Sequence, residues 1–180
     1  MRRQIYTAAD IKVLSMEDSV RERPAMYFRV AREDPALPTE ILRAVLSDAL
    51  HLMGGDHAQA GAEITGDLSF TVWDDQPSEP GAGLLDRHRW VQAAAAALSV
   101  RTVVEVGEHR QELAGTTPTG PPERSASAIA GTRVSFELDP AYFPPHAAIS
   151  SSIESVGDLH GEWCTDKPMP HTFRDLRQDP

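Results

Sequence analysis

The chain is poor in cysteine, in cations and in long apolar runs, and each shortage removes a class of function. One cysteine, Cys164, stands among 180 residues. It excludes an internal disulfide and a cysteine-rich metal site. It is compatible with a reducing cytoplasm, the expected location. No apolar run approaches the roughly 20 residues of a membrane-spanning helix, so no membrane association is expected. Met1-Arg2-Arg3 is basic, but no apolar stretch follows it, so no signal peptide is read. The 17 Lys and Arg against 27 Asp and Glu leave a net charge of -10. A protein held to a nucleic-acid backbone needs clustered cations, so direct nucleic-acid binding is not expected. Small anionic ligands need only a few local donors, and the net charge says little about them.

What is present suits one globular domain. The chain is 41% hydrophobic and 24% charged, and its length allows one real core. Residues 1–14 read as an arm before a domain spanning 15–180, with Ile5, Tyr6 and Ile11 as its apolar anchors. Ser15 can cap a short helix over 15–23, with Asp18 as the returning acid. In that helix Arg21 and Arg23 read as solvated or paired with local acids. Residues 29–39 read as loop. Thr39 looks like the cap of a second helix, whose Ile41, Leu42, Val45, Leu46, Ala49, Leu50, Leu52 and Met53 repeat at helical spacing before Gly54-Gly55. Residues 62–73 alternate as a hairpin turning at Gly66-Asp67. An alanine-rich helix covers 91–99, two strands cover 100–106 and 109–114, and a Thr, Gly, Pro and Ser-rich loop covers 115–130. A strand from Gly131 to Phe136, a helix over 147–160 and a strand over 170–177 complete the reading. The core should join Leu42, Val45, Leu46 and Ala49 to Phe70, Val72, Val134 and Phe136.

The segment from Ile11 to Tyr27 carries Ile-Lys-Val-Leu, then Val20-Arg21-Glu22-Arg23-Pro24, then Met26-Tyr27. Its spacing closely resembles the start of the ATPase domain of the DNA gyrase B subunit and topoisomerase IV, of the GHKL superfamily. The segment Gly131-Thr132-Arg133-Val134-Ser135-Phe136, followed by Asp139-Pro140 and Tyr142-Phe143, resembles a later strand of that family. Ala96-Ala97-Leu98-Ser99, His109-Arg110-Gln111 and His171 to Arg177 add weaker likeness. The resemblance covers roughly residues 5–177, with the family's lid removed. It implies an α+β fold of the Bergerat type, a two-layer sandwich with a mixed sheet and helices on one face. It also implies a homodimer, in which Tyr6 and Ile11 of the arm reach a second copy.

The family's catalytic helix carries a Glu that activates water and, four residues later, an Asn that holds magnesium. Both must meet one phosphate, hence one helical face. Here the Glu position is Ala44, the Asn position is Asp48 and an intervening acid position is Ser47. Alanine has no proton acceptor, so no general base and no catalytic residue is expected. Glu40, one turn earlier, is displaced by about 5.4 Å along the axis, too far for in-line attack. Asp48 could contact a hard cation, the one metal-ligand candidate. Asp74 keeps the family acid that accepts from the adenine amino group, and Thr132 keeps the threonine that binds adenine through water. Gln76 and Ser78 replace glycines beside Asp74. The glycine-rich phosphate cradle is replaced near Leu84 to Trp90, where Arg87, His88 and Arg89 read as a solvated helix start or as anion-binding charge.

The resemblance and these losses imply a stand-alone gyrase-B-like domain that has lost ATP hydrolysis and acts as a dimeric binding or regulatory protein. A second reading is a weak ATP or purine nucleotide binder using Asp74, Thr132 and Asp48, with ATP or ADP and magnesium as ligands. A third is an enzyme of unrelated chemistry in a reshaped pocket, suggested by Ser47, Asp48, His51 and His57.

Overall fold

The computed structural model describes residues 13–51, 59–75, 89–125, 129–160 and 172–178. Tyr6, Ile11, His57, Gln76, Ser78, Arg87, His88, Cys164 and His171 lie outside these residues, as do the arm contacts and the Gly54-Gly55 stop.

Helix α1 (Met16–Glu22) starts as its cap residue dictates. The Ser15 hydroxyl accepts the Asp18 N–H and donates to the Asp18 carboxylate. Pro24 then opens the single turn α2 (Ala25–Phe28), which ends on Arg29 at φ 67°. Helix α3 (Leu37–Leu50) begins earlier than Thr39. Ala36 precedes it, held by the Asp34 carboxylate, and Pro38 sits in the first turn where no intrahelical N–H is needed. Thr39 is therefore not the cap; its hydroxyl accepts the Ser150 N–H instead. Leu37, Ile41, Leu42, Val45, Leu46, Ala49 and Leu50 are all buried on this helix, as their spacing requires.

Among the described residues, eight strands form one open mixed sheet. They are β1 (Ala60–Gly66), β2 (Ser69–Asp74), β3 (Ser99–Val106), β4 (His109–Ala114), β5 (Thr117–Pro118), β6 (Glu123–Arg124), β7 (Thr132–Leu138) and β8 (Thr172–Asp175). The order is β5-β4-β3-β7-β2-β1-β8, with β6 also on β4; β1 and β8 run parallel and the other pairs antiparallel. Alternation sorts the two faces. Ala62, Ile64, Phe70, Val72, Val104, Val134, Phe136 and Leu138 join the helix residues in one core. Phe70 and Phe136 stack with centroids 5.0 Å apart. The opposite face is polar, with Thr71 bonded to Ser135 and Arg101 paired with Glu112 and Glu137.

Helix α3 packs on β1 and β2, and helix α4 (Trp90–Ala97) on β3 and β7. The fold is thus α+β, with helices on one face of the sheet. Residues Val91 to Leu98 are buried on all sides, because α1 and α3 cover the face of α4 turned from the sheet. Alanine side chains let these layers approach closely.

Three expectations are corrected. Arg21 is neither solvated nor paired locally: its guanidinium donates to the Ala97 carbonyl at 3.0 Å and pairs with Asp139 at 2.9 Å. It ties α1 to the C-terminal end of α4, where a cation meets the negative end of the helix dipole. The Tyr142 hydroxyl donates to the Arg21 carbonyl, and the Arg21 and Arg32 guanidinium groups lie 4.9 and 4.5 Å from its ring centre. The helix expected over 147–160 is reduced to α5 (Val156–Leu159), capped by Ser155 and Asp158. Upstream, the backbone bonds elsewhere: the Ile149 N–H donates to the Asp67 carbonyl and the Ser150 N–H to Thr39. The serine run there favours turns, since the Ser150 hydroxyl accepts the Ser152 N–H. Of the strand expected over 170–177, the described residues hold Thr172–Asp175, and Leu176–Gln178 form a 3-10 turn in place of its end.

Candidate functional site

The site starts where β7 meets β2. Gly131 has φ 77°, and a Cβ there would fall 1.9 Å from the Asp74 carbonyl oxygen. Only glycine lets the chain enter β7 so close to the end of β2. That entry sets Thr132 directly opposite Asp74 in the ladder, and both are buried. The two residues singled out for adenine contact are therefore brought together.

Arg89, the residue before α4, turns inward to the same place. Its Nη1 lies 2.8 Å from one Asp74 carboxylate oxygen and its Nη2 3.0 Å from the other. The Arg89 and Asp74 side chains are only 6% and 1% exposed. This is a bidentate, desolvated ion pair. Arg89 is thus not part of a solvated helix start. Asp74 and Thr132 are not among the residues lining the cavity described next.

A cavity of about 490 Å³ lies along α3. Among the described residues, it takes Glu40, Arg43, Ala44, Ser47, Asp48 and His51 from α3, with Tyr27, Phe28, Arg29, Val91 and His160. Helical spacing explains why Ala44 and Asp48 share this wall. No proton acceptor stands at Ala44. Glu40 pairs with Arg43 at 3.5 Å. The His51 Nε2 meets the His160 Nε2 at 3.1 Å, a contact between the ends of α3 and α5. His51, Ser47 and Asp48 share the cavity, and the His51 imidazole bonds that of His160.

Asp48 is half-buried, and its Oδ2 is buried without a hydrogen-bond partner. Its carboxyl is pushed up to about 6, chiefly because burial penalises the charge; Arg89 opposes this and Asp74 adds to it. Asp48, Asp74 and Arg89 therefore form one electrostatic cluster beneath the cavity. Asp48 stands alone as a metal ligand: among the described residues, no group of three or more His, Cys, Asp or Glu could hold a metal ion.

A raised carboxyl makes a signed prediction. In the unfolded chain Asp48 titrates near 4; in the fold it titrates near 6. Its contribution to stability is greatest below pH 4 and is lost as pH rises toward 6. Two units correspond to a ceiling of about 3 kcal/mol, which solvent screening at a half-buried site reduces to about 1 kcal/mol. Asp48→Asn should therefore stabilise the protein by about 1 kcal/mol at pH 7.5 and by little at pH 4. Urea unfolding at both pH values tests this; equal effects at the two would refute the assignment.

Two site residues escaped sequence reasoning, and a third was seen without its partner. His160 lies far from His51 in the chain, and no local pattern joins them. The left-handed backbone of Arg29 has no glycine or asparagine to announce it. Arg89 was legible in Arg87-His88-Arg89 as a solvated helix start or anion-binding charge, but its partner is set by the fold. No family model matches the chain, and no curated protein does. Among the described residues, no helix is long and apolar enough to cross a membrane.

Proposed function

We propose that the chain is a gyrase-B-like domain of GHKL type that binds a small ligand without hydrolysing ATP. The observation that carries this reading is the buried Asp74–Arg89 pair. An adenine amino group would need an exposed carboxylate oxygen, and here both oxygens face a guanidinium. The direct pairing of Asp74 with Thr132 beside Gly131 supports the family assignment. Ala44 on the cavity wall supports the loss of hydrolysis. A cavity of about 490 Å³ with aromatic, charged and imidazole walls supports ligand binding.

The wild-type protein should release no phosphate above background from ATP with magnesium. Ala44→Glu should leave it there. A general base contributes about 10²–10⁴ in rate, but it acts only on a phosphate that is already positioned, and positioning supplies most of phosphoryl-transfer catalysis. Phosphate-release assays on both proteins, beside calorimetric titration with ADP, test the reading. Magnesium-dependent turnover lost on Asp48→Ala would overturn it. Micromolar ADP binding without turnover would replace it with a nucleotide sensor in which Arg89 swings off Asp74.

A further inference from the structure

We propose that His51 and His160 form a site for one borderline divalent transition-metal ion, copper(II) or zinc(II), which clips the C-terminal end of α3 to that of α5.

The fold brings the two imidazoles together before any metal binds. His51 is the C-cap of α3 and His160 that of α5. The His51 N–H donates to the Ser47 and Asp48 carbonyls, and the His160 N–H to the Val156 carbonyl. Both backbones are therefore fixed by helix ends. Helix α5 packs on α3, and its Val156 and Leu159 are buried in the core. Little chain entropy remains to be lost when a metal joins the two side chains.

The spacing suits shared ligation. The two Nε2 atoms stand 3.1 Å apart. With metal–nitrogen bonds of about 2.0–2.1 Å, two ligating nitrogens stand about 3.3–3.4 Å apart at a tetrahedral angle and about 2.9 Å apart at a right angle. The observed distance falls between the two. The ring centres are 5.3 Å apart with the planes tilted by 42°, so the rings meet through their nitrogens and do not stack. Without metal, one ring donates and the other accepts. With metal, the donor ring carries its hydrogen on Nδ1 instead, a change of tautomer and not of charge.

The setting admits a hydrated cation. His51 is exposed and His160 half-buried. Helix α3 is 14 residues long and has no basic residue in its last turn, so its own Lys and Arg do not offset the negative end of its dipole at His51. Arg43 on the same cavity wall is paired with Glu40. Imidazole nitrogen selects copper and zinc over magnesium, which prefers oxygen. Among the described residues no third His, Cys, Asp or Glu completes the set. Water fills the remaining positions, which makes the ion exchangeable and unlike that of a closed four-ligand structural centre.

The test is calorimetric titration of the full chain with copper(II) and with zinc(II). The wild type should saturate at micromolar copper, and excess magnesium should not compete. His51→Gln and His160→Gln each keep a hydrogen-bonding side chain and remove one imidazole, and each should weaken copper about tenfold or more. His109→Gln, an exposed imidazole on β4, should leave the affinity unchanged. Zinc at ten times its dissociation constant should raise the wild-type melting temperature by about 3–6 °C, and neither site variant should show that rise. Melts without metal verify that the variants fold. Copper affinity untouched by both site variants, lost in only one of them, or lost equally in His109→Gln overturns the proposal, as does absence of saturation. None of these results bears on the non-hydrolysing reading, which phosphate release and ADP binding decide.

Discussion

Arg89→Met should destabilise the protein by about 3–5 kcal/mol, the range for removing one partner of a buried ion pair. The Arg89 and Asp74 side chains are 6% and 1% exposed, and two bonds of 2.8 and 3.0 Å join them. Methionine matches the length of the arginine stem and so preserves most of the packing. What it removes is the guanidinium facing a carboxylate that water does not reach. The neighbouring Asp48 adds a second acid to the same cluster, so loss of the cation also leaves two carboxylates in mutual repulsion. The double variant Asp74→Leu with Arg89→Met should recover most of the loss. Replacing both partners of a buried pair with apolar groups is often neutral or stabilising. Urea denaturation of the two single variants and the double variant closes a thermodynamic cycle. An Arg89→Met loss below about 1 kcal/mol would place the pair at the surface and remove the main support for the functional reading.

Leu46→Ala should cost about 2–5 kcal/mol. Leu46 is 0% exposed in the middle of α3. The helix packs on β1, β2 and α4 at once, so a cavity at Leu46 has neighbours on several sides. Helix α4, which packs on α3, is rich in alanines whose short side chains fill little of a gap. Collapse around the missing atoms is therefore limited, and the loss belongs in the upper part of the range. Val13→Ala is the contrast: at 90% exposure it should change stability by less than about 0.5 kcal/mol. Comparable losses at Leu46 and Val13 would mean that the apolar face of α3 does not meet the sheet.

Periodicity and local chemistry explain what was legible beforehand. Leu42, Val45, Leu46 and Ala49 recur at helical spacing, and all four are buried with Phe70, Val72, Val134 and Phe136. Ser15 and Asp18 announced the start of α1, because a cap is settled within one turn of chain. The expected strand from Gly131 to Phe136 is present as β7, from Thr132 to Leu138. Where the reading failed, the backbone had found distant partners. Residues 147–153 have apolar spacing that a helix could use, yet Asp67 takes the Ile149 N–H and Thr39 the Ser150 N–H.

By itself, then, the sequence determined the helix faces, the strand alternation and the shortage of cations. These are properties of single positions or of neighbours within a few residues. Only the tertiary structure decided that Arg89 pairs with Asp74, that Arg21 anchors α4, that His160 meets His51, and that Arg29 and Asp48 share a cavity. The physical reason is desolvation. A buried charge must take whichever partner the packed layers bring within about 3 Å, and hydrophobic spacing along the chain carries no record of which residue that will be.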